Sequence, residues 1–218
     1  MCGGSAIGRP DRVRIPRARP GPVCDDLAVT TTDALWAAWD GRGFEHLALR
    51  QEAGAVRADS LIIAVDDDGR PFRARYVLDC DGGWAVRRAR IEVLEEPGRA
   101  MEIRADGRGH WTDAATGSPL PLDGCVDIDI YPSPFTNTLP IRRLADAGVG
   151  RAVRIDVAWV LLPTLTIEAK PQEYTLLERV RGGSRWRFRA PDSDFIAELA
   201  VDDNGLVLDY PGIARRVL

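Results

Sequence analysis

Asp127 and Asp129, in the run GCVDIDIY, are two carboxylates at a spacing that suggests chemistry. If the run is extended, both lie on one face about 7 Å apart. That separation suits a metal or the paired acids of a glycoside hydrolase. The same alternation arises in any strand with one wet face, and no neighbouring residue completes a metal set. Glu45 and His46 form the only Glu-His pair, and His110 is the only other histidine. Neighbours in a strand point to opposite faces, so Glu45 and His46 would not reach one substrate atom in an extended segment. A Ser-His-Asp triad would lack the G-x-S-x-G elbow. A hydrogen-bonded structural histidine is the simpler reading.

Six tryptophans, Trp36, Trp39, Trp84, Trp111, Trp159 and Trp186, stand in a chain that is only 7% aromatic. They read first as core and seam residues, each needing a partner for its N–H when buried. Beside arginines and amides, an indole also offers a surface to a sugar ring or an amphiphile. Arg142 and Arg143 could bind an acidic head group, or simply solvate a helix together with Asp146.

The elements that must position these groups are mostly strands. Asp68-Gly69, Asp81-Gly82, Asp106-Gly107, Asp123-Gly124, Gly182-Gly183 and Asn204-Gly205 fit tight turns, because such residues tolerate positive φ. Between them lie runs suited to strands. Val153, Ile155, Val157 and Trp159 keep a clean period of two, whereas Val86, Ala89 and Ile91 shift phase partway. LTIEA and EYTLLERV read as separate strands. Many short strands joined by tight turns favour an antiparallel meander, roll or barrel. The exception is residues 138–147, where Leu139, Ile141, Leu144 and Ala145 form an apolar helical face. Thr136, Asn137 and Thr138 supply capping oxygens, Pro140 is tolerated in the first turn, and Gly148 suits the stop. The expectation is one helix of about three turns, packed against the sheet because it would be marginal alone.

At 218 residues and 45% hydrophobic content, the chain can bury a substantial core. A net charge of −4 gives no basic field for nucleic acid. No apolar run reaches the length of a membrane span, and the start has no apolar h-region of a secretory signal. Cys2, Cys24, Cys80 and Cys125 show no metal-binding spacing, and free thiols in a cytoplasmic protein are expected. Residues 1–32, rich in Arg and Pro, read as a flexible leader to a single domain over 33–218.

Several segments together resemble a known family: GFEHLAL (43–49), YVLDCDGGWAVRRARI (76–91), DGRGHW (106–111), GCVDIDIYPSPFTNTLPIRRL (124–144), PQEYTLL (171–177) and VDDNGLVLDYPGIARRV (201–217). They are similar, in the same order, to the bacterial "putative glycolipid-binding" family, formerly a domain of unknown function. PFTNTLPIRRL is the most specific block. The resemblance implies a mainly β fold, a spiral β-roll in which a long antiparallel sheet wraps around a single α-helix, and a homodimer. It supplies no catalytic residue, metal or cofactor.

Three functions follow. The first is a protein without catalytic activity that binds a glycolipid or similar amphiphile, with His46, Arg87, Asp127, Asn137 and Arg142 as polar contacts and Trp84 and Trp111 as the wall of the site. The second is a hydrolase or isomerase of carbohydrate derivatives using Asp127, Glu45 or His46. The third is a structural dimer with no ligand.

Overall fold

The computed structural model describes Met1, residues 29–95 and residues 98–218. Residues 2–28, with most of the expected leader and Cys2 and Cys24, lie outside the described residues. Fourteen strands form one sheet. The first half comprises β1 (Thr30–Ala38), β2 (Phe44–Glu52), β3 (Ala55–Val65), β4 (Pro71–Asp81), β5 (Val86–Val93), β6 (Ala100–Ala105) and β7 (Trp111–Asp113). The second comprises β8 (Asp127–Tyr131), β9 (Ala152–Leu161), β10 (Thr166–Val180), β11 (Gly183–Arg189), β12 (Ile196–Asp202), β13 (Val207–Tyr210) and β14 (Ala214–Arg216). β1 begins at Thr30, inside the stretch expected as leader, with Thr30 opposite Gln51.

Period-two patterning builds the sheet. In β4, Phe72, Ala74, Tyr76, Leu78 and Cys80 are buried while Arg73 and Arg75 face solvent, and β11 buries Trp186 and Phe188 between exposed arginines. The phase shift in β5 is a β-bulge: Cys80 pairs with Val86 and Asp79 with Arg88, leaving Arg87 as the extra residue. LTIEA and EYTLLERV are one strand, β10, despite Pro171 between them. Pro171 pairs only with Asp156 of β9, and β11 joins β10 from Glu173 onward. The missing N–H therefore falls where β10 has no second neighbour.

The sheet runs β7-β6-β5-β4-β3-β2-β1-β14-β13-β12-β11-β10-β9-β8. Every pairing is antiparallel except β8 with β9, where Asp127 stands opposite Val157 and Tyr131 opposite Leu161 in parallel register. Parallel neighbours cannot be joined by a hairpin and need a long crossover, usually helical. That requirement accounts for the one α-helix among the described residues.

The crossover holds a 3-10 turn at Phe135–Asn137 followed by α1 (Thr138–Arg143). α1 has six residues, shorter than the expected span of 138–147. Beyond Leu144 the chain tightens into i to i+3 bonds, Ala145 N–H to Arg142 O and Ala147 N–H to Leu144 O, which satisfy carbonyls at the helix end. Leu139 packs in the core under β1–β5, and Ile141 in a second cluster with Tyr174, Trp186, Phe188 and Leu199. The helix thus joins the two halves of the roll.

Three buried indoles find partners. Trp36 donates to Val207 O at 2.7 Å, Trp111 to Cys125 O at 2.6 Å and Trp186 to Ser184 Oγ at 3.0 Å. Cys80 and Cys125 are free and buried.

Candidate functional site

Two polar islands lie inside the roll, both tied to the crossover. The first is beneath α1. Asp127 and Asp129 share one face of β8, as the alternation implied, but that face is covered rather than wet. Asp127 is fully buried and receives Arg143 through two bonds, Nε to Oδ1 at 2.9 Å and Nη2 to Oδ2 at 2.7 Å. Burial pushes its carboxyl up, against the opposing pull of Arg143. Asp129 accepts Thr136 Oγ1 at 2.8 Å on one oxygen and Gln172 Nε2 at 2.6 Å on the other. Burial raises its pKa too, opposed by those two bonds. Tyr174 Oη donates toward Asn137 Oδ1 at 2.9 Å and Gln172 Oε1 at 3.2 Å.

The expected cap is absent. No side chain bonds the first turn of α1. Asn137 faces Tyr174 instead, and the buried Thr138 Oγ1 has no partner. Arg143, expected beside Asp146, turns inward to Asp127.

The second island is centred on Glu45 of β2, only 4% exposed. Ser60 Oγ, Tyr76 Oη and Ser133 Oγ lie 2.7, 2.5 and 2.9 Å from the same oxygen, Oε1. Oε2 is buried without a partner. Burial raises the carboxyl's pKa against these three bonds, and no cation is among the causes of the shift. Ser133 comes from the crossover, 88 residues along the chain from Glu45.

Beside this island opens a cleft of about 680 Å³, within the usual size range of small-molecule sites. Topology gathers it at one end of the roll. The β1–β2, β3–β4, β9–β10 and β13–β14 turns and the end of β8 all contribute. Apolar residues including Val65, Phe72, Pro132, Leu161, Leu162 and Ile213 form part of its wall. Asp40, Asp66, Asp67 and Asp68 line it as well, with Arg42 and Tyr131. Arg42 is bound to Asp40, through its backbone N–H at 2.9 Å and Nε at 2.7 Å. Four aspartates against one arginine make the cleft electronegative, and the phenol of Tyr131 is pushed up by burial and then by the Asp67 and Asp40 charges.

None of the seven residues singled out from the sequence lines this cleft. The fold brings two of them together, Arg142 lying over the Trp84 ring at 5.0 Å. Trp84 is buried and holds a positive φ of 67°. Arg87 is exposed and reaches Asp81 at 3.1 Å. Trp111 is buried in the core, and Asp127 and Asn137 belong to the island beneath the helix. His46 is exposed on the outer face, 3.5 Å from Asp33, while Glu45 points inward, as extended neighbours must. Among the described residues no group of His, Cys, Asp and Glu could hold a metal, and no helix is long and apolar enough to cross a membrane.

The sequence offers Glu45 only as a catalytic alternative and does not single out the cleft. Its turns carry a visible signal, the acidic run Asp66-Asp67-Asp68 and the pairs Tyr131-Pro132 and Leu162-Pro163, but their convergence depends on how the sheet curls.

No curated protein matches the chain. The crystal structure of a DUF1089 family protein from Pseudomonas aeruginosa is similar, at 40% identity and a TM-score of 0.68, covering 81% of this chain and 92% of that one. A family model described as "putative glycolipid-binding" matches residues 33–216, from β1 to β14. With that span and the spiral roll around one helix, the chain belongs to this family.

Proposed function

We propose that the protein binds an amphiphile with an uncharged, hydroxyl-bearing head group, such as a glycolipid, in the cleft at the turn end of the roll. The observation that carries this reading is the division of the lining. Apolar side chains such as Leu161, Leu162 and Ile213 suit a hydrocarbon chain, and four aspartates offer acceptors to hydroxyl groups. An anionic head would meet like charges there. The family description points the same way.

The test is calorimetric titration with octyl glucoside below its micelle threshold, alongside octyl sulfate. Saturable binding of the glucoside is expected, with the sulfate markedly weaker. Val65→Arg, which places a charge at the apolar wall, should abolish binding while leaving the fold intact by circular dichroism. No saturable binding of the neutral glycoside, or binding indifferent to Val65→Arg, would overturn the reading.

A further inference from the structure

Adjoining the cleft is a niche of about 40 Å³. Glu45, Trp36 and Pro134 line it, and Ala64, Pro132 and Ile213 line both it and the cleft. The space exceeds the roughly 10–15 Å³ that one water-sized group occupies. Glu45 is also the residue whose second carboxyl oxygen is buried without a partner. Protonated, that oxygen is a donor with no acceptor; ionised, it is an acceptor with no donor. A buried polar atom in either condition is costly, and the three hydroxyls on Oε1 do nothing to relieve it.

The geometry points to the niche as a second, adjoining subsite, in which one hydroxyl of the ligand bonds to Glu45 Oε2. This rests on the reading of the cleft as an amphiphile site, and it names the group that would select the ligand. The island's chemistry favours an uncharged partner over a cation. All three groups on Oε1 are neutral hydroxyls, from Ser60, Tyr76 and Ser133, and no Arg or Lys balances the carboxyl. A ligand hydroxyl completes the set in either protonation state, because it can donate or accept. Ser133 sits in the same Tyr-Pro-Ser-Pro segment as Pro132 and Pro134, so the segment that borders the niche also fixes the carboxyl.

The experiment uses octyl glucoside and octylammonium with wild type, Glu45→Met and Ser133→Ala. Glu45→Met keeps about the size of the side chain and removes the polar atom at Oε2. Glucoside binding should weaken about tenfold, the scale of one lost buried hydrogen bond. Ser133→Ala touches only the Oε1 side and should change binding far less. Difference infrared spectroscopy adds a readout that stability does not move. Adding glucoside to wild type should shift the Glu45 carboxyl band, C=O or COO− according to its protonation, which is assigned by its loss in Glu45→Met. Should that variant not fold, Glu45→Asp, which displaces the band, assigns it. Glucoside binding with no shift of the band would overturn the subsite, as would unchanged affinity in a folded Glu45→Met. Tighter binding of octylammonium than of glucoside would make the carboxyl a counter-ion and overturn the hydroxyl assignment. Absence of any glucoside binding to wild type would instead overturn the cleft reading itself.

Discussion

The two buried islands differ in how completely their carboxyls are satisfied. Beneath the helix, Asp127 takes two bonds from Arg143 and Asp129 takes one on each oxygen. Beside the cleft, Glu45 crowds three hydroxyls onto one oxygen and leaves the other bare. A carboxyl with every valence filled by its own chain serves the fold. One with an open valence next to a cavity has a remaining capacity to bind. Of the carboxyls read from the sequence as possible chemistry, Asp127 and Asp129 belong to the closed island and Glu45 to the open one.

Removing the cation from the closed island should have the largest effect. The Asp127 side chain is 1% exposed and Arg143 is its ion-pair partner at 2.7 Å. Arg143→Ala leaves a buried acid without its counter-charge and should cost about 3–5 kcal/mol of stability. Urea unfolding measures this directly. A loss under about 1 kcal/mol, the scale of an exposed pair, would mean that Asp127 is already neutral or hydrated and would erase the contrast between the islands.

The open island should show itself through pH. Burial raises the Glu45 pKa above the ordinary glutamate range, so the native state holds a proton that the unfolded chain releases. The resulting stability is complete below the unfolded pKa and is lost as pH rises through the folded one. Glu45→Gln keeps a neutral side chain at every pH. Wild type should therefore lose stability relative to the variant as pH climbs from the ordinary glutamate range upward. Asp127 and Asp129 are also raised, but they are common to both proteins and cancel in the difference. Unfolding midpoints that run parallel from acid to neutral pH would show that Glu45 gains no proton on folding.

The roll was legible in the sequence wherever one local rule decided the outcome. Turn glycines and period-two runs predicted the strands, and the broken phase at Val86, Ala89 and Ile91 marked the bulge at Arg87. The helix was visible in type but too long in extent, because its end is set by the path back to β9. Asn137 looked like a cap because its neighbours fit one, yet Tyr174, 37 residues away, claims its side chain. The cleft and the Glu45 island were out of reach for the same reason. Ser60, Tyr76 and Ser133 meet at Glu45 only when the crossover beyond β8 lies over β2–β4, and no local pattern encodes that contact.

Thr138 gives the finest test of the contrast, because it is an unsatisfied group inside the closed region. Its side chain is fully buried at the start of α1 and Oγ1 has no hydrogen-bond partner. Unlike Glu45 Oε2, it belongs to a residue that lines neither the cleft nor the niche. Thr138→Val replaces the hydroxyl with a methyl of similar shape, and the two residues have nearly equal helix propensity. Removing a buried polar group that bonds to nothing relieves a desolvation cost. The expected result is a small gain in stability, up to about 1 kcal/mol, with octyl glucoside affinity unchanged. A loss of stability would reveal a partner for Oγ1, such as a buried water. A loss of glucoside affinity at constant stability would place a second open valence beneath the helix, and the division between a closed island and an open one would no longer hold.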